Sequence, residues 1–295
     1  MVFGFVGFYL ADSTNHAVVT GVSPLAPIGK PTQIGHPMIG AGPGALPASS
    51  DISLSCPVTK CLESLNWGGF GVFNTSFLVT KVTGSWTVPT IVGSTSTVCP
   101  DSQKTWDSNA VWIGIDGLET PTVEQTGTSS DCFYGQTSYY AWYEFYPSPS
   151  VALTMTINPG DQMSASVSYV GLNATGVPTF TTTITDVTTS ATYTSAVTPV
   201  PGALRESAEW VDESPYYDGF LGLTHVTQVK FTGATATING ATRTMIGWGA
   251  YDLYWLVMVD YNFPYDSTIS YVKAEPVSLN KGGNAFNVDW LSSGP

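Results

Sequence analysis

Three carboxylates and one amide make the best case for chemistry in this chain: Asp116, Glu144 and Glu209, with Gln125 in Val123-Glu124-Gln125-Thr126-Gly127. They stand out by elimination. A nucleophilic triad needs a histidine as base. Of His16, His36 and His225, only His225 lies in strand-like text, and no Gly-x-Ser-x-Gly elbow accompanies it. Paired Asp-Thr/Ser-Gly loops, a His-Glu-x-x-His helix and a phosphate loop are absent, and the glycines near Trp67 do not open a helix. Cys56, Cys61, Cys99 and Cys132 include no Cys-x-x-Cys pair, so neither zinc nor another cofactor is expected. Two chemistries remain. Glu144 and Glu209 could act as the paired carboxylates of a glycoside hydrolase. Alternatively, a carboxylate could activate water while an amide stabilises an oxyanion. A non-catalytic, lectin-like carbohydrate-binding module would use the same aromatic face and give Gln125 no special role.

These residues need strands to hold them. From Asn66 onward the text is a series of short β-prone segments, such as Phe77–Pro89, Ala110–Gly117, Ser138–Pro147, Gln162–Val170, Phe180–Val187, Ala208–Glu213 and Leu253–Val259. Turn signals separate them, and no amphipathic helix intervenes. The pattern predicts an all-β sandwich or barrel. Side-chain alternation adds detail. Val111, Ile113 and Ile115 share a core face, which leaves Trp112, Gly114 and Asp116 on the other. Tyr140, Trp142, Glu144 and Tyr146 share a face opposite Tyr139, Ala141, Tyr143 and Phe145. Around Glu209, Ser207, Val211 and Glu213 lie with the carboxylate, while Ala208 and Trp210 point inward. Trp86 and Trp210 are therefore read as core, and Trp112 and Trp142 as cleft walls.

The 295 residues suffice for one large β domain. Only 9 residues are basic against 22 acidic, a formal net charge of −13, which excludes nucleic acid and anionic membrane surfaces as partners. The same imbalance suits acid: once carboxylates protonate, few positive charges remain to repel one another. An even number of cysteines in an apparently secreted chain suggests two disulfides in one of three pairings. Residues 1–12 read as a signal-peptide remnant. Residues 13–65 are rich in Pro and Gly and read as a propeptide or linker, and residues 66–295 as the β domain.

In order and spacing, several motifs resemble the glutamic peptidases, or eqolisins. They are Asn66-Trp67-Gly68-Gly69, Val82 through Pro89, Trp112 through Gly117, Glu124 through Gly127, Ala141 through Pro147, Pro159-Gly160-Asp161 and Ala208-Glu209-Trp210, followed by Ala274-Glu275-Pro276 and Phe286-Asn287-Val288. The resemblance covers roughly residues 66–290. It implies an antiparallel β-sandwich of two sheets with lectin-like (concanavalin-like) architecture, and a monomeric, acid-active endopeptidase acting on proteins or peptides. It further implies a Gln125–Glu209 catalytic dyad supported by Trp67, Trp112, Trp142, Asp116 and Glu144. One departure is visible: Tyr140 stands where the family can carry an acidic residue.

Overall fold

The computed structural model describes residues 60–93, 106–133, 135–217, 221–261 and 269–294. Its strands run in chain order as β1 (Lys60–Ser64), β2 (Trp67–Phe73), β3 (Val79–Thr87), β4 (Trp106–Ile115), β5 (Val123–Phe133) and β6 (Gln136–Tyr146). Then follow β7 (Val151–Thr156), β8 (Gln162–Leu172), β9 (Pro178–Asp186), β10 (Ala191–Thr194), β11 (Thr198–Pro199) and β12 (Ser207–Glu213). The last are β13 (Gly222–Leu223), β14 (Val229–Ile238), β15 (Ala241–Thr244), β16 (Leu253–Tyr261), β17 (Ile269–Val277) and β18 (Phe286–Trp290). One 3₁₀ turn, Met245–Trp248, interrupts them.

Two layers result. The first has the order β1–β16–β2–β12–β4–β5–β6–β7, antiparallel except for the β1–β16 edge. The second runs β10–β9–β8–β3–β14–β15. The expected antiparallel sandwich is present, with one feature alternation cannot foretell: β16, β17, β18 and β14 pair in succession, so the layers join into one nearly closed sheet.

The layers enclose one apolar core. Val111, Ile113, Ile115, Ala141, Phe145, Ala208 and Trp210 all face it, as their alternation predicted. Two indoles stitch the layers together. Trp86 Nε1 donates to Thr128 Oγ1 at 2.9 Å, and Trp210 Nε1 donates to the Thr83 carbonyl at 2.8 Å. Each buries a large ring without orphaning its N–H. On the outer face of the second layer, threonines pair across strands: Thr183 with Thr194, Thr185 with Thr192 and Thr83 with Thr235. These hydroxyls satisfy one another and carry no charge at any pH.

The sheet begins earlier than Asn66. Lys60–Ser64 pairs along β16, with Leu62 buried, because this short segment alternates in a way the Pro-rich text before it does not. The rest of the expected leader lies outside the described residues. Cys61 and Cys132 each take part in a disulfide; Cys56 and Cys99 fall outside the described residues.

Two outcomes follow. Trp210→Ala should cost about 3–5 kcal/mol in denaturant unfolding, because it empties the centre of the core and orphans the Thr83 carbonyl. If acid removes the leader, cleavage near Asn66 would strip an edge strand, so N-terminal sequencing should find the new end before Lys60.

Candidate active site

One row of side chains crosses the first layer on the face turned away from the core. In register it runs Lys60, Tyr254, Gly71, Glu209, Gly114, Gln125, Glu144, one residue from each of seven adjacent strands. Gln125 and Glu209 thus share a face, two strand spacings apart, about 10 Å between backbones. Glycines flank Glu209 on both sides. A Cβ on Gly114 would lie 2.9 Å from the Trp112 ring, so only glycine lets that indole lie over the strand. The Gln125 amide does not hang free: its Nε2 donates to Glu144 Oε2 at 2.7 Å. That bond fixes the amide plane and leaves the second N–H of the nitrogen to point elsewhere.

Asp116 works differently. It ends β4 with a left-handed φ of 65°, and its carboxylate accepts the amides of Leu204, Arg205 and Glu206 at 2.8–2.9 Å. These three residues lead into β12, so Asp116 fixes the strand that carries Glu209. Arg205 is itself left-handed, with a φ of 63°, a strain that the three hydrogen bonds to Asp116 offset.

Trp67, Trp112 and Trp142 lie on this same face, in the neighbouring rows. They do not form open walls. All three are at most 1% exposed, in a second apolar cluster with Leu62, Leu118, Val211 and Leu256. Trp67 meets Trp112 edge to face at 4.8 Å, and Trp112 Nε1 donates to Glu213 Oε2 at 2.8 Å. Glu213 also accepts from Asn66 Nδ2 at 3.0 Å. Glu213 was not among the candidates, although its position four residues after Glu209 puts it on the same face. Tyr140 is in register with Ser129, where burial, ahead of the Asp131 charge, drives its pKa well up.

Burial pushes the Glu209 carboxyl well above the ordinary range, and the charges of Asp116 and Glu124 push the same way against the Ser207 hydroxyl and the Leu118 amide. Neither carboxyl oxygen makes a hydrogen bond of normal geometry. Glu124, on the core side of β5, is likewise raised well above its range by burial and then by Asp116. Asp212, also on the core side, accepts from Asn109 Nδ2; burial raises it to about 7.

Residues 65–259 match the model of the peptidase A4 family. The chain belongs to the peptidase A4 family. Aspergillopepsin-2 of Aspergillus niger is 33% identical over 194 residues, which cover 61% of this chain and 66% of that protein. Scytalidopepsin B of Scytalidium lignicola is 34% identical over 104 residues, 35% of this chain and 34% of that protein. The chain therefore spans just under two thirds of the first relative and about a third of the second. The fold is shared with scytalido-glutamic peptidase, solved with a transition-state analogue inhibitor: the TM-score is 0.57 at 21% identity, over 77% of this chain and 98% of that one. The glutamic-peptidase resemblance seen in the motifs thus agrees with the peptidase A4 assignment.

In this peptidase A4 chain, Asp212 ties stability to pH. Folded Asp212 keeps its proton up to about pH 7, whereas the unfolded residue loses it near about pH 4. The stability from that proton is whole below the unfolded value, declines as pH rises and is gone above the folded one. The loss is on the order of 4 kcal/mol. Denaturant unfolding between pH 4 and 8 should show this decline, and Asp212→Asn should make it shallower by this residue's share, while Glu124 and Glu209 keep a slope of the same sign.

Proposed function

We propose that the chain is a secreted endopeptidase that hydrolyses protein or peptide substrates in acid, with Glu209 as general base and Gln125 as oxyanion donor. The observation that carries this reading is the row Glu209–Gly114–Gln125–Glu144, in which a carboxylate and an oriented amide flank a glycine gap on one face. Glu209 takes a proton from water; the oxygen bonds to the scissile carbonyl carbon, and the carbonyl oxygen gains the negative charge. The Gln125 N–H donates to that oxyanion. Collapse breaks the C–N bond, and the leaving amine takes the proton from Glu209. An amide never titrates, so it serves at any pH, whereas a histidine base would be protonated in acid. Glu144 and Asp116 act through the dyad, one by aiming the amide and the other by fixing the entry to β12. The disulfide-bonded Cys61 and Cys132 support an extracellular setting. A glycoside hydrolase built on Glu144 and Glu209 is less well supported, since Glu144 is engaged by Gln125.

The raised Glu209 has a consequence. A base works only once ionised, so the acid limb of kcat/KM should lie above the ordinary carboxylate range rather than at it. Digestion of denatured protein should be insensitive to chelators. Glu209→Gln should lower kcat by about 10²–10⁴-fold, and Gln125→Ala by about 10²–10³-fold. Full activity in Glu209→Gln would refute the reading.

A further inference from the structure

Gly71 leaves a notch beside Glu209, and one side chain fills it. A Cβ on Gly71 would collide with Leu118 Cδ1 and would lie 3.7 Å from Glu209 Cγ. Leu118 comes from the loop between β4 and β5 and is 1% exposed. The loop is shaped to put it there. Asp116, Gly117 and Glu119 all have positive φ, of 65°, 118° and 60°, and Asp116 is tied down by three amides. The Gly117 amide donates to Thr120 Oγ1 at 2.5 Å, which closes the turn. A Cβ on Gly117 would meet the Trp67 ring at 2.6 Å, so the loop lies against that indole too. An aliphatic side chain on a loop is thereby held in the notch beside the Glu209 side chain, whose carboxyl the proposed reaction needs.

We propose that Leu118, packed into the notch that Gly71 leaves, is a positioning residue for Glu209: it excludes water from the carboxyl and so governs the pH at which the reaction runs. The inference rests on Glu209 being the base. The charged and polar groups acting on it are Asp116 and Glu124, whose charges push it up, and Ser207 and the Leu118 amide, which pull the other way. Along the row lie Tyr254 and Lys60 beyond Gly71, with Gln125 and Glu144 beyond Gly114. Since all of these persist when Leu118 is shortened, the variant isolates the apolar cover. Hydrating the carboxyl favours its charged form.

The cover can be removed in two ways. Leu118→Ala empties the notch, and Leu118→Ser empties it and adds a hydroxyl that holds water there. Both should move the acid limb of kcat/KM down by about one pH unit, which makes digestion about five-fold faster one unit below the wild-type midpoint. Leu118→Met should keep the wild-type profile. A packing role alone would lower stability and leave the limb in place. Glu209 should also be titrated directly by carbon NMR of labelled glutamate, its signal identified by its loss in Glu209→Gln. A downward shift in Leu118→Ala or Leu118→Ser supports the cap, and an unmoved or raised titration in a folded variant of either overturns it. If digestion instead survives in Glu209→Gln, the dyad reading fails while the NMR titration still decides whether Leu118 covers the carboxyl.

Discussion

Slide β5 by one residue against β4 and Gln125 turns into the core, taking its hydrogen bond to Glu144 with it. Antiparallel register is thus the constraint on which the site depends, because side chains alternate strictly between the two faces of a strand. Gly114 is the register partner of both Gln125 and Glu209, so a single position on β4 sets the relation between them. The register is enforced from the other face. Ile113, Ile115, Ala208 and Trp210 point into the core, where a slip would bring polar side chains into their places. Stability of the sandwich and alignment of the candidate dyad are the same requirement.

That arrangement tolerates unusual burial of acids. Glu124, Glu209 and Asp212 are all fully buried, and burial drives each upward in pKa. Ionising them together would be costly in a protein that had to work at neutral pH. In acid Glu124 and Asp212 can stay neutral, and their share of the cost disappears; Glu209 alone has to ionise for the proposed reaction. The outer threonine pairs and the scarcity of basic residues act in the same direction, since neither adds repulsion when carboxylates protonate. Interior and surface are therefore both consistent with an acidic setting, for different physical reasons.

β5 shows where reading the sequence by hydrophobic alternation stops. Val123–Phe133 is buried along nearly its whole length, yet consists mostly of Glu, Gln, Thr, Gly, Ser and Asp. No apolar stripe marks it as a strand, and it is placed because β4 and β6 pair with it over its full length. Three of its polar side chains are met one at a time, Gln125 by Glu144, Thr126 by the Trp142 carbonyl and Asp131 by Ser108. The motif that names Gln125 was legible; the strand that positions it was not.

By itself, the sequence determined the all-β class, the faces of β4, β6 and β12, the core roles of Trp86 and Trp210, and the short set of acids and one amide worth considering. Those follow from composition and from a two-residue period, both local properties. Only the tertiary structure decided that Glu144 holds Gln125, that Asp116 secures the entry to β12, that Trp67, Trp112 and Trp142 are covered rather than open, and that Leu118 fills the space left by Gly71. Each of these joins residues distant in the chain or on different strands. Such contacts depend on the order and register of strands, which alternation within one strand does not specify.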